Sequence, residues 1–455
     1  MNTKKVAIIG AGLSGLTTAF YLKKAGIPFT IFEKSNSIGG VMQTKNDGSF
    51  LYETGPNSGV MSHAEMADLF SDLKGKCEIE LADDASANRL IWKDGNWHAL
   101  PSGLWTAITT PLFRMRDKIR VLGEPFRKKG DNPNEDLASF VKRRLGKSFL
   151  DYAIDPFILG IYAGDPAYIV PKYALPKLYN LEQNYGSFIG GSIKKSRIPK
   201  TEDDKKASRK VFSVKGGLSK LVTALVDEIG QENIRLETEV NVIDNKFTLL
   251  IEGVEQSFTE VVFTGVASQL STLMPFLDKD LLQPIEVLKY AKVVEASIGF
   301  HKWEGRKLDA FGGLVPFKED KNILGVLFMS TLFKNRAPKG GAIFTVFSGG
   351  MRKAHLAELG EAELKTVIIE TDRSIDTLAE NKGFGQVGAG LGSVGERLIS
   401  LDFAGAGKEA EMLNNNMVNL GKMGGDALKG LGKTVTNLSK AFVKMGVALL
   451  ANPIF

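Results

Sequence analysis

The N-terminal stretch Val6–Gly40, VAIIGAGLSGLTTAFYLKKAGIPFTIFEKSNSIGG, constrains the fold more than any other part of this chain. It opens with a short apolar run, which is typical of a strand buried on both faces of a parallel sheet. Glycines at GxGxxG spacing follow and begin a helix predicted over Leu13–Ala25, and a second strand is predicted at Phe29–Phe32. This order of elements predicts a Rossmann-type βαβ unit that binds a dinucleotide.

The three glycines of the motif have separate physical roles. Gly10 allows the tight turn, Gly12 lets a pyrophosphate approach the backbone, and Gly15 lets helix and strand pack closely. The helix N-terminus faces the phosphate charge. Glu33 follows the second strand at the spacing, roughly 20 residues, of the acid that binds a ribose. A glycine-rich turn without a ligand is the alternative, and the ordered elements around the motif argue against it.

Two further segments resemble FAD-binding flavoproteins rather than NAD enzymes. Glu33 begins an ExxxxxGG pattern that ends at Gly39 and Gly40, and a second glycine pair lets the chain pass close to a cofactor. The segment Phe50–Val60, FLYETGPNSGV, carries an acid before Gly-Pro, as in the same superfamily. We therefore expect FAD as the cofactor.

Composition narrows the class of protein. The 455 residues suffice for two or three domains, and the single cysteine, Cys77, excludes an internal disulfide framework. Four scattered histidines and one cysteine give no metal-ligand spacing, so no metal is expected. The net charge of +6 permits attraction to an anionic membrane surface or an acidic ligand. No nucleic-acid partner is expected. No uncharged run is long enough to span a bilayer, and the N-terminus shows no signal peptide.

The middle of the chain predicts a hairpin followed by helices. Strands at Leu90–Trp92 and Trp97–Leu100 flank an Asp94-Gly95 turn, and Arg89 enters this hairpin, where a plain surface arginine is the competing interpretation. Residues 101–198 are predicted to be mostly helical. Their basic amphipathic segments, such as Thr106–Gly123, either cover a core or lie on a membrane.

The second half predicts more strands. Residues 234–265 alternate as strands that complete the nucleotide-binding sheet. A second sheet and a following helix are predicted at Val293–Phe300, Ala310–Phe317, Ile323–Ser330, Ala342–Gly350 and Met351–Ser374.

Long ordered motifs extend the resemblance to one family. DPFILGIYAGDP (Asp155–Pro166), ALPKLYNLEQNYGSFIGG (Ala174–Gly191) and FSVKGGLSKL (Phe212–Leu221) closely resemble the oxygen-dependent protoporphyrinogen oxidases, and coproporphyrinogen oxidases of the same family look similar. The match runs from Met1 to about Leu359. It implies an α/β fold with a Rossmann-type FAD-binding domain, a mixed-sheet substrate domain and an inserted helical membrane-associating domain.

The resemblance also implies how the chain divides. The expected segments are an FAD-binding domain in two parts, 1–86 and 200–275, a substrate-domain hairpin, 87–100, a helical domain, 101–199, a substrate domain, 276–360, and a divergent tail, 361–455.

The activity implied is oxidation of protoporphyrinogen IX or coproporphyrinogen III to the porphyrin in haem biosynthesis, by repeated hydride transfer to FAD with dioxygen as acceptor. The implied location is the cytoplasm, with peripheral contact on the inner face of the cell membrane; a homodimer is left open. The alternatives are another amine-oxidase-like flavoenzyme, such as a carotenoid desaturase, and a flavin- or porphyrin-binding protein that has lost turnover.

Site residues are carried over from the family's motifs. The implied substrate contacts are Arg89, which would anchor a propionate, with Phe311, Leu314 and Phe347 against the ring. Ordinary sheet packing is the alternative for these three apolar residues, and an ordinary strand valine is the alternative for Val240. No catalytic acid or base is assigned, because the cofactor carries the chemistry. The implied FAD contacts are Gly10, Gly12, Leu13, Ser14, Gly15, Glu33, Lys34, Gly39, Gly40, Gly55, Pro56, Asn57 and Val240.

The sequence departs from the family after Gly350. The Trp and Pro-Gln-Tyr elements that normally follow are missing, and Gly388–Ser400 resembles the closing motif only faintly. Residues Lys408–Leu450 are glycine-rich with apolar residues at helical spacing, which predicts an amphipathic helix that packs or lies on a membrane. Val41 is a smaller departure, where the family often has Lys or Arg. We expect FAD binding to be weaker or altered if the tail does not close the site.

Overall fold

The computed structural model describes residues 5–86, 88–199, 210–242, 244–305 and 308–367. The chain forms two compact units: Met1–Leu81 with Lys210–Tyr290, and Ala82–Arg209 with Ala291–Phe455. The first unit covers 1–81 and 210–290, close to the expected FAD-binding segments 1–86 and 200–275 but longer at its C-terminal end. The expected hairpin, 87–100, and helical domain, 101–199, fall in the second unit, and the expected substrate domain, 276–360, does so only from residue 291 onward. The predictions for the tail beyond residue 367 lie outside the described residues.

Eighteen strands are found in the described part of the chain. They are β1 (Val6–Ile9), β2 (Phe29–Phe32), β3 (Thr44–Asn46), β4 (Leu51–Glu53), β5 (Gly59–Val60), β6 (Ile79–Leu81), β7 (Asn88–Lys93), β8 (Asn96–Ala99), β9 (Val211–Val214), β10 (Ile234–Arg235), β11 (Val240–Val242), β12 (Thr248–Ile251), β13 (Val254–Ser257), β14 (Glu260–Phe263), β15 (Val293–Phe300), β16 (Ala310–Leu314), β17 (Ile323–Phe328) and β18 (Ala342–Gly349).

The helices within the same described ranges are α1 (Leu13–Lys24), α2 (Ala64–Asp72), α3 (Leu104–Thr109), α4 (Met115–Leu122), α5 (Leu137–Arg144), α6 (Lys147–Phe149), α7 (Asp155–Tyr162), α8 (Pro171–Ala174), α9 (Pro176–Tyr185), α10 (Phe188–Lys195), α11 (Ser219–Ile229), α12 (Leu270–Leu273), α13 (Lys279–Glu286), α14 (Met329–Leu332) and α15 (Glu361–Lys365).

The first unit is built on a parallel sheet with strand order β10-β2-β1-β14. Val6 pairs with Phe29 on one side and Glu260 on the other, so β1 is central and buried on both faces. Ile8 joins a core with α1 and α11, while Ala7 joins a second core with the antiparallel sheet β11-β12-β13. The βαβ unit and the completing strand predicted from the sequence are therefore confirmed.

The end of α1 shows why the predicted turn to β2 is sharp. Gly26 has φ +67°, the left-handed region that favours glycine. Its N–H donates to the Lys23 carbonyl at 3.0 Å, and the Ile27 N–H donates to the Leu22 carbonyl at 3.0 Å. These two bonds form a Schellman motif, which satisfies carbonyls that the helix end leaves without partners.

The second unit is built on a mixed sheet with strand order β15-β18-β17-β16-β7-β8. The predicted hairpin is confirmed: Asp94 and Gly95 both have positive φ, +52° and +83°, as a two-residue hairpin turn requires. Strand β16 pairs in parallel with β7 and thereby joins the hairpin to the later strands. All four strands predicted for the second sheet are found, the last three of them shorter than predicted.

Helices dominate residues 101–198, as predicted. The amphipathic segment Thr106–Gly123 contains the end of α3 and all of α4, and Pro111 lies between the two helices. No helix in the described residues is long and apolar enough to cross a bilayer. The helix predicted over Met351–Ser374 is found only in part within the described residues: Met351–Lys353 are not helical, and a short 3₁₀ turn at Ala354–Glu358 precedes α15.

Candidate cofactor and substrate sites

The glycine turn after β1 is held by close backbone contacts within the first unit. Gly10 has φ +105°, and a Cβ at this position would lie 2.8 Å from Thr264 Oγ1. A Cβ on Gly15 would lie 2.0 Å from the Gly10 carbonyl oxygen, so any larger residue would separate α1 from the turn. The sequence-based roles of Gly10 and Gly15 thus have direct steric reasons.

The second glycine pair lies directly against this turn. Gly39 forms a parallel bridge with Gly12, and its N–H donates to the Ala11 carbonyl at 2.9 Å. A Cβ on Gly40 would lie 3.3 Å from Gly12 Cα. A Cβ on Gly12, in contrast, would have no atom of the described protein within 4 Å. The backbone beside Gly12, at the N-terminus of α1, therefore leaves room for a phosphate to approach.

Glu33 connects the end of β2 to the same turn. Its carboxylate accepts hydrogen bonds from the Ala11 N–H at 2.8 Å and the Ser35 N–H at 2.9 Å. Burial alone would raise the pKa of this carboxyl, but the hydrogen bonds from Ala11 and Ser35, with the charge of Lys34, outweigh burial and lower the pKa. Glu33 is thus held as a carboxylate, and its remaining lone pairs can accept from the hydroxyls of a ribose.

The other residues expected to bind FAD lie in the same unit with differing exposure. Val240 follows Thr238, whose N–H donates to the Glu33 carbonyl at 2.9 Å, and the Val240 side chain is buried. Asn57 is buried and donates to the Gly55 carbonyl at 3.0 Å. The remaining expected contacts are partly or fully exposed: Leu13, Ser14, Lys34 and Pro56.

Thr264 belongs to this constellation and was missed from the sequence. It directly follows β14, and its hydroxyl donates to the Ile9 carbonyl at 2.9 Å and lies 3.2 Å from the Gly10 carbonyl. It therefore fixes the carbonyls on both sides of the strand-to-turn junction. Thr264 could have been predicted from its position at the end of a predicted strand, because functional residues lie at the carboxyl ends of parallel strands.

Two of the four residues expected to contact substrate project to one face of the mixed sheet. Leu314 pairs with Gly325, and Gly325 pairs with Phe347, so the three lie in one row across β16, β17 and β18. Paired residues project to the same face, and glycine adds no side chain between its neighbours. Both Leu314 and Phe347 are partly exposed. We call Leu314, Gly325 and Phe347 the Gly325 row.

Arg89 projects to the same face from β7. It pairs with Gly312, and Ile91, two residues later, pairs with Leu314. The Arg89 guanidinium carbon lies 4.5 Å from the centroid of the Phe311 ring, which occupies the irregularity between Ala310 and Gly312. Burial lowers the pKa of Arg89. The structure thus brings all four predicted substrate residues together within the second unit.

Helix α7 lies against both ends of the Gly325 row. Leu159 and Ala163 form a small core with Leu324, against which Phe347 packs. A Cβ on Gly160 would lie 2.3 Å from Leu314 Cδ2, so the helix also contacts the other end of the row. The motif Asp155–Pro166 therefore lies beside the expected substrate residues.

A family model described as flavin containing amine oxidoreductase matches residues 13–375, which is more than half of the chain. The chain belongs to this family. It is accordingly a flavin-dependent oxidoreductase with FAD as its cofactor, as the sequence predicted. The open backbone at Gly12 and the fixed carboxylate of Glu33 fit such a dinucleotide.

The relatives with curated names include protoporphyrinogen oxidases. The mitochondrial protoporphyrinogen oxidase of Nicotiana tabacum is 30% identical over 81% of this chain and 80% of its own length. Protoporphyrinogen oxidase 2 of Arabidopsis thaliana, chloroplastic and mitochondrial, is 30% identical over 81% of this chain and 79% of its own length. The family resemblance predicted from the motifs is confirmed.

A solved structure shows the same fold. A protein from Exiguobacterium sp. 255-15, provisionally named protoporphyrinogen oxidase, has a TM-score of 0.67 with 22% sequence identity, covering 81% of this chain and 82% of that one. At this identity the likeness concerns the fold, and it supports the mixed α/β architecture described above.

Proposed function

We propose that this protein oxidises a porphyrinogen to the corresponding porphyrin in haem biosynthesis, with dioxygen as the final acceptor. The observation that carries the proposal is the placement of Arg89, Leu314 and Phe347 on one sheet face, with Phe311 stacked on the arginine. A porphyrinogen is a broad apolar macrocycle with propionates, so it needs apolar walls and a cation at one edge.

The residues would act by binding and orientation. Arg89 holds a desolvated guanidinium that can bind a propionate bidentately. Leu314 and Phe347 would contact the macrocycle, and Gly325 between them adds no side chain that would keep it away. The Gly10–Gly15 turn, Glu33 and the other expected contacts would hold FAD, which would supply the hydride acceptor. Since hydride transfer depends on geometry, no acid–base pair is required of the protein.

The visible absorption spectrum of the purified protein tests this proposal. The protein is mixed anaerobically with protoporphyrinogen IX or with coproporphyrinogen III, and flavin absorbance is followed. Bleaching by one of them, with recovery and porphyrin fluorescence on admitting air, is the expected result. Bound flavin that neither substrate bleaches would contradict the proposal, and bleaching by a carotenoid precursor would replace it. Absence of flavin after adding FAD would favour a protein that has lost turnover.

We further propose peripheral contact with an anionic membrane through α4 and the turn after it. Met115, Ile119 and Leu122 are exposed at a spacing of four and three residues, which places them on one helix face, and Phe126 beyond them is 91% exposed. The exposed Arg116 lies between these apolar residues on the same helix, whereas Lys118 and Arg120 are partly buried and donate to the Thr110 carbonyl at 2.9 Å and the Lys142 carbonyl at 3.0 Å. An exposed apolar stripe beside a cation suits the interface of an anionic bilayer. A cytoplasmic location on the inner face of the cell membrane belongs to this proposal.

A further inference from the structure

We propose that the segment Gly350–Arg352, directly after β18, positions α7 against the Gly325 row, and that Arg352 is the main positioning residue. This inference rests on the proposed function for the identity of the substrate. It assigns a role to residues that are neither the expected propionate anchor nor expected FAD contacts.

The first contact is at the N-terminal end of α7. Asp155, the first residue of the helix, is buried, and its carboxylate accepts a hydrogen bond from an Arg352 guanidinium nitrogen. Its second oxygen accepts from the Phe317 N–H at 2.9 Å. The Arg352 guanidinium carbon lies 4.1 Å from the centroid of the Phe317 ring. One buried carboxylate thus ties the helix to the end of β18 and to the chain just beyond β16.

The second contact is at the C-terminal end of the same helix. Ala163 has φ +48°, an unusual conformation for a residue with a Cβ, and its carbonyl accepts from the Met351 N–H at 2.8 Å. Gly350 has φ +77°, and a Cβ there would lie 2.8 Å from that carbonyl oxygen. Neighbouring residues of one segment therefore hold both ends of α7, and glycine is required between β18 and this contact.

The consequence concerns the substrate face. Phe347 lies on β18 before this segment, and Leu314 lies on β16 before Phe317. Helix α7 reaches both, through the core that contains Leu159 and through Gly160. The contacts at the two ends of α7 therefore fix the distance between the helix and the two apolar residues of the Gly325 row. A buried charge pair stabilises one arrangement of the groups that carry it, because removing one partner leaves the other charge buried and uncompensated.

The test compares Arg352→Gln and Asp155→Asn with the neighbouring Lys353→Gln. Lys353 is the matched control, since it donates to Asp320 at 2.8 Å and to the Lys321 carbonyl at 3.0 Å, both of them outside α7. Two rates are measured: anaerobic flavin bleaching by the porphyrinogen, and hydrogen exchange of amides in 157–163. Photoreduction of the flavin, which needs no substrate, reports cofactor integrity.

Both variants should lower the bleaching rate by about 10- to 100-fold, the effect of misplacing reactants by about 1 Å. They should speed amide exchange in α7 by about tenfold and leave photoreduction within about twofold of wild type. Arg352→Lys should bring the bleaching rate and the exchange rate of α7 part of the way back to the wild-type values. Lys353→Gln should change neither rate. If the variants fold poorly, Gly350→Ala, which pushes on Ala163 without removing a charge, gives the same readouts.

The inference is overturned if amides of α7 exchange in Arg352→Gln at the wild-type rate. It is also overturned if a variant with faster exchange in α7 is bleached at the wild-type rate. Failure of the proposed function is distinguishable, because then wild-type protein itself is not bleached by any porphyrinogen. In that case the exchange of α7 still decides whether Gly350–Arg352 holds the helix.

Discussion

Glu33 shows how a single backbone environment sets the charge of a site residue. Hydrogen bonds from Ala11 and Ser35 outweigh burial and lower its pKa, so the same N–H groups that shape the glycine turn also keep the acid ionised. Neither donor can be inferred from the spacing of the motif. The identity of the acid came from sequence, whereas its protonation state came from the fold.

Replacing Glu33 by Gln should weaken FAD binding about 10- to 100-fold, since charged hydrogen bonds contribute about 1.5–3 kcal/mol. The amide keeps one acceptor oxygen and leaves one N–H without a partner. Titration of the apoprotein with FAD, followed by flavin fluorescence, measures the change. Glu65→Gln, at an exposed site on α2 in the same unit, is the matched control and should bind as wild type does. Equal affinity of the two variants would remove Glu33 from the site.

The same carboxylate makes a prediction for pH. Its folded pKa lies below the ordinary value of 4.5, so Glu33 stabilises the fold above pH 4.5. That contribution is lost as the pH falls through the lower folded value. The free energy of unfolding of Glu33→Gln should therefore decrease less steeply on acidification than that of wild type, as measured by urea unfolding between about pH 6 and pH 3. A parallel decrease in both proteins would contradict the assignment.

Arg89 is expected to separate substrate binding from cofactor binding. Arg89→Lys should raise KM for the porphyrinogen about tenfold, because an ammonium cannot bind a carboxylate bidentately or stack on Phe311 in the same way. Flavin content should not change. Steady-state kinetics with flavin absorbance checks both, and Arg197→Lys, exposed after α10, is the control for the substitution itself. Unchanged KM would remove Arg89 from the substrate site.

At the scale of elements, the helices of the second unit converge on a buried charge pair. Glu124 and Arg144 are both fully buried and bonded to each other, and the Glu124 carboxylate also accepts from Ser187 Oγ at 2.7 Å and from the Phe188 N–H at 2.9 Å. One acid thus satisfies the N-terminus of α10 and the guanidinium from α5. No local pattern around Arg144 predicts this partner, because Glu124 lies 20 residues away in the chain.

Glu124→Gln should destabilise the protein by about 3 kcal/mol, because Arg144 loses its main counter-ion in a buried site. This loss of unfolding free energy is at the low end of the range for breaking a buried ion pair, because Glu182 remains 3.3 Å from Arg144. Thermal unfolding followed by circular dichroism measures the change. Lys147→Gln breaks a surface pair with Asp151 and should cost at most about 1 kcal/mol, since Lys147 is 71% exposed. Equal effects of the two changes would show that the buried pair is not the stronger contact.

For two elements, the local sequence pattern was sufficient to predict the structure. The hairpin β7–β8 formed as expected because Asp94-Gly95 tolerates the positive φ of its turn, and β15 matched its predicted bounds. The helix expected from Met351 begins later, because Met351 and Arg352 bond to residues of α7 and its C-cap instead. Local helical pattern carries no information about such a distant partner.

At the scale of the whole molecule, the net charge of +6 and the exposed apolar stripe on α4 affect the proposed binding to a membrane surface rather than folding. Ile119→Ser with Phe126→Ser should reduce binding to vesicles containing anionic lipid by at least about tenfold, because two apolar contacts with the bilayer are lost. Vesicle sedimentation measures this, and binding of wild type should weaken with added salt. Val254→Ser, exposed in the first unit, is the control. Undiminished binding of the double variant would place the contact elsewhere.

The sequence alone determined the βαβ unit, the glycine turn, FAD as the cofactor and the family, because these depend on local spacing and on motifs contiguous in the chain. Glu33 as the acid that binds a ribose remains a prediction of the same motif. The tertiary structure alone decided that the Gly325 row aligns across three strands, that Thr264 supports the turn, and that Arg352 contacts α7. Each of these joins residues distant in the chain through strand register or a buried contact, and no local pattern of side chains encodes which strands become neighbours.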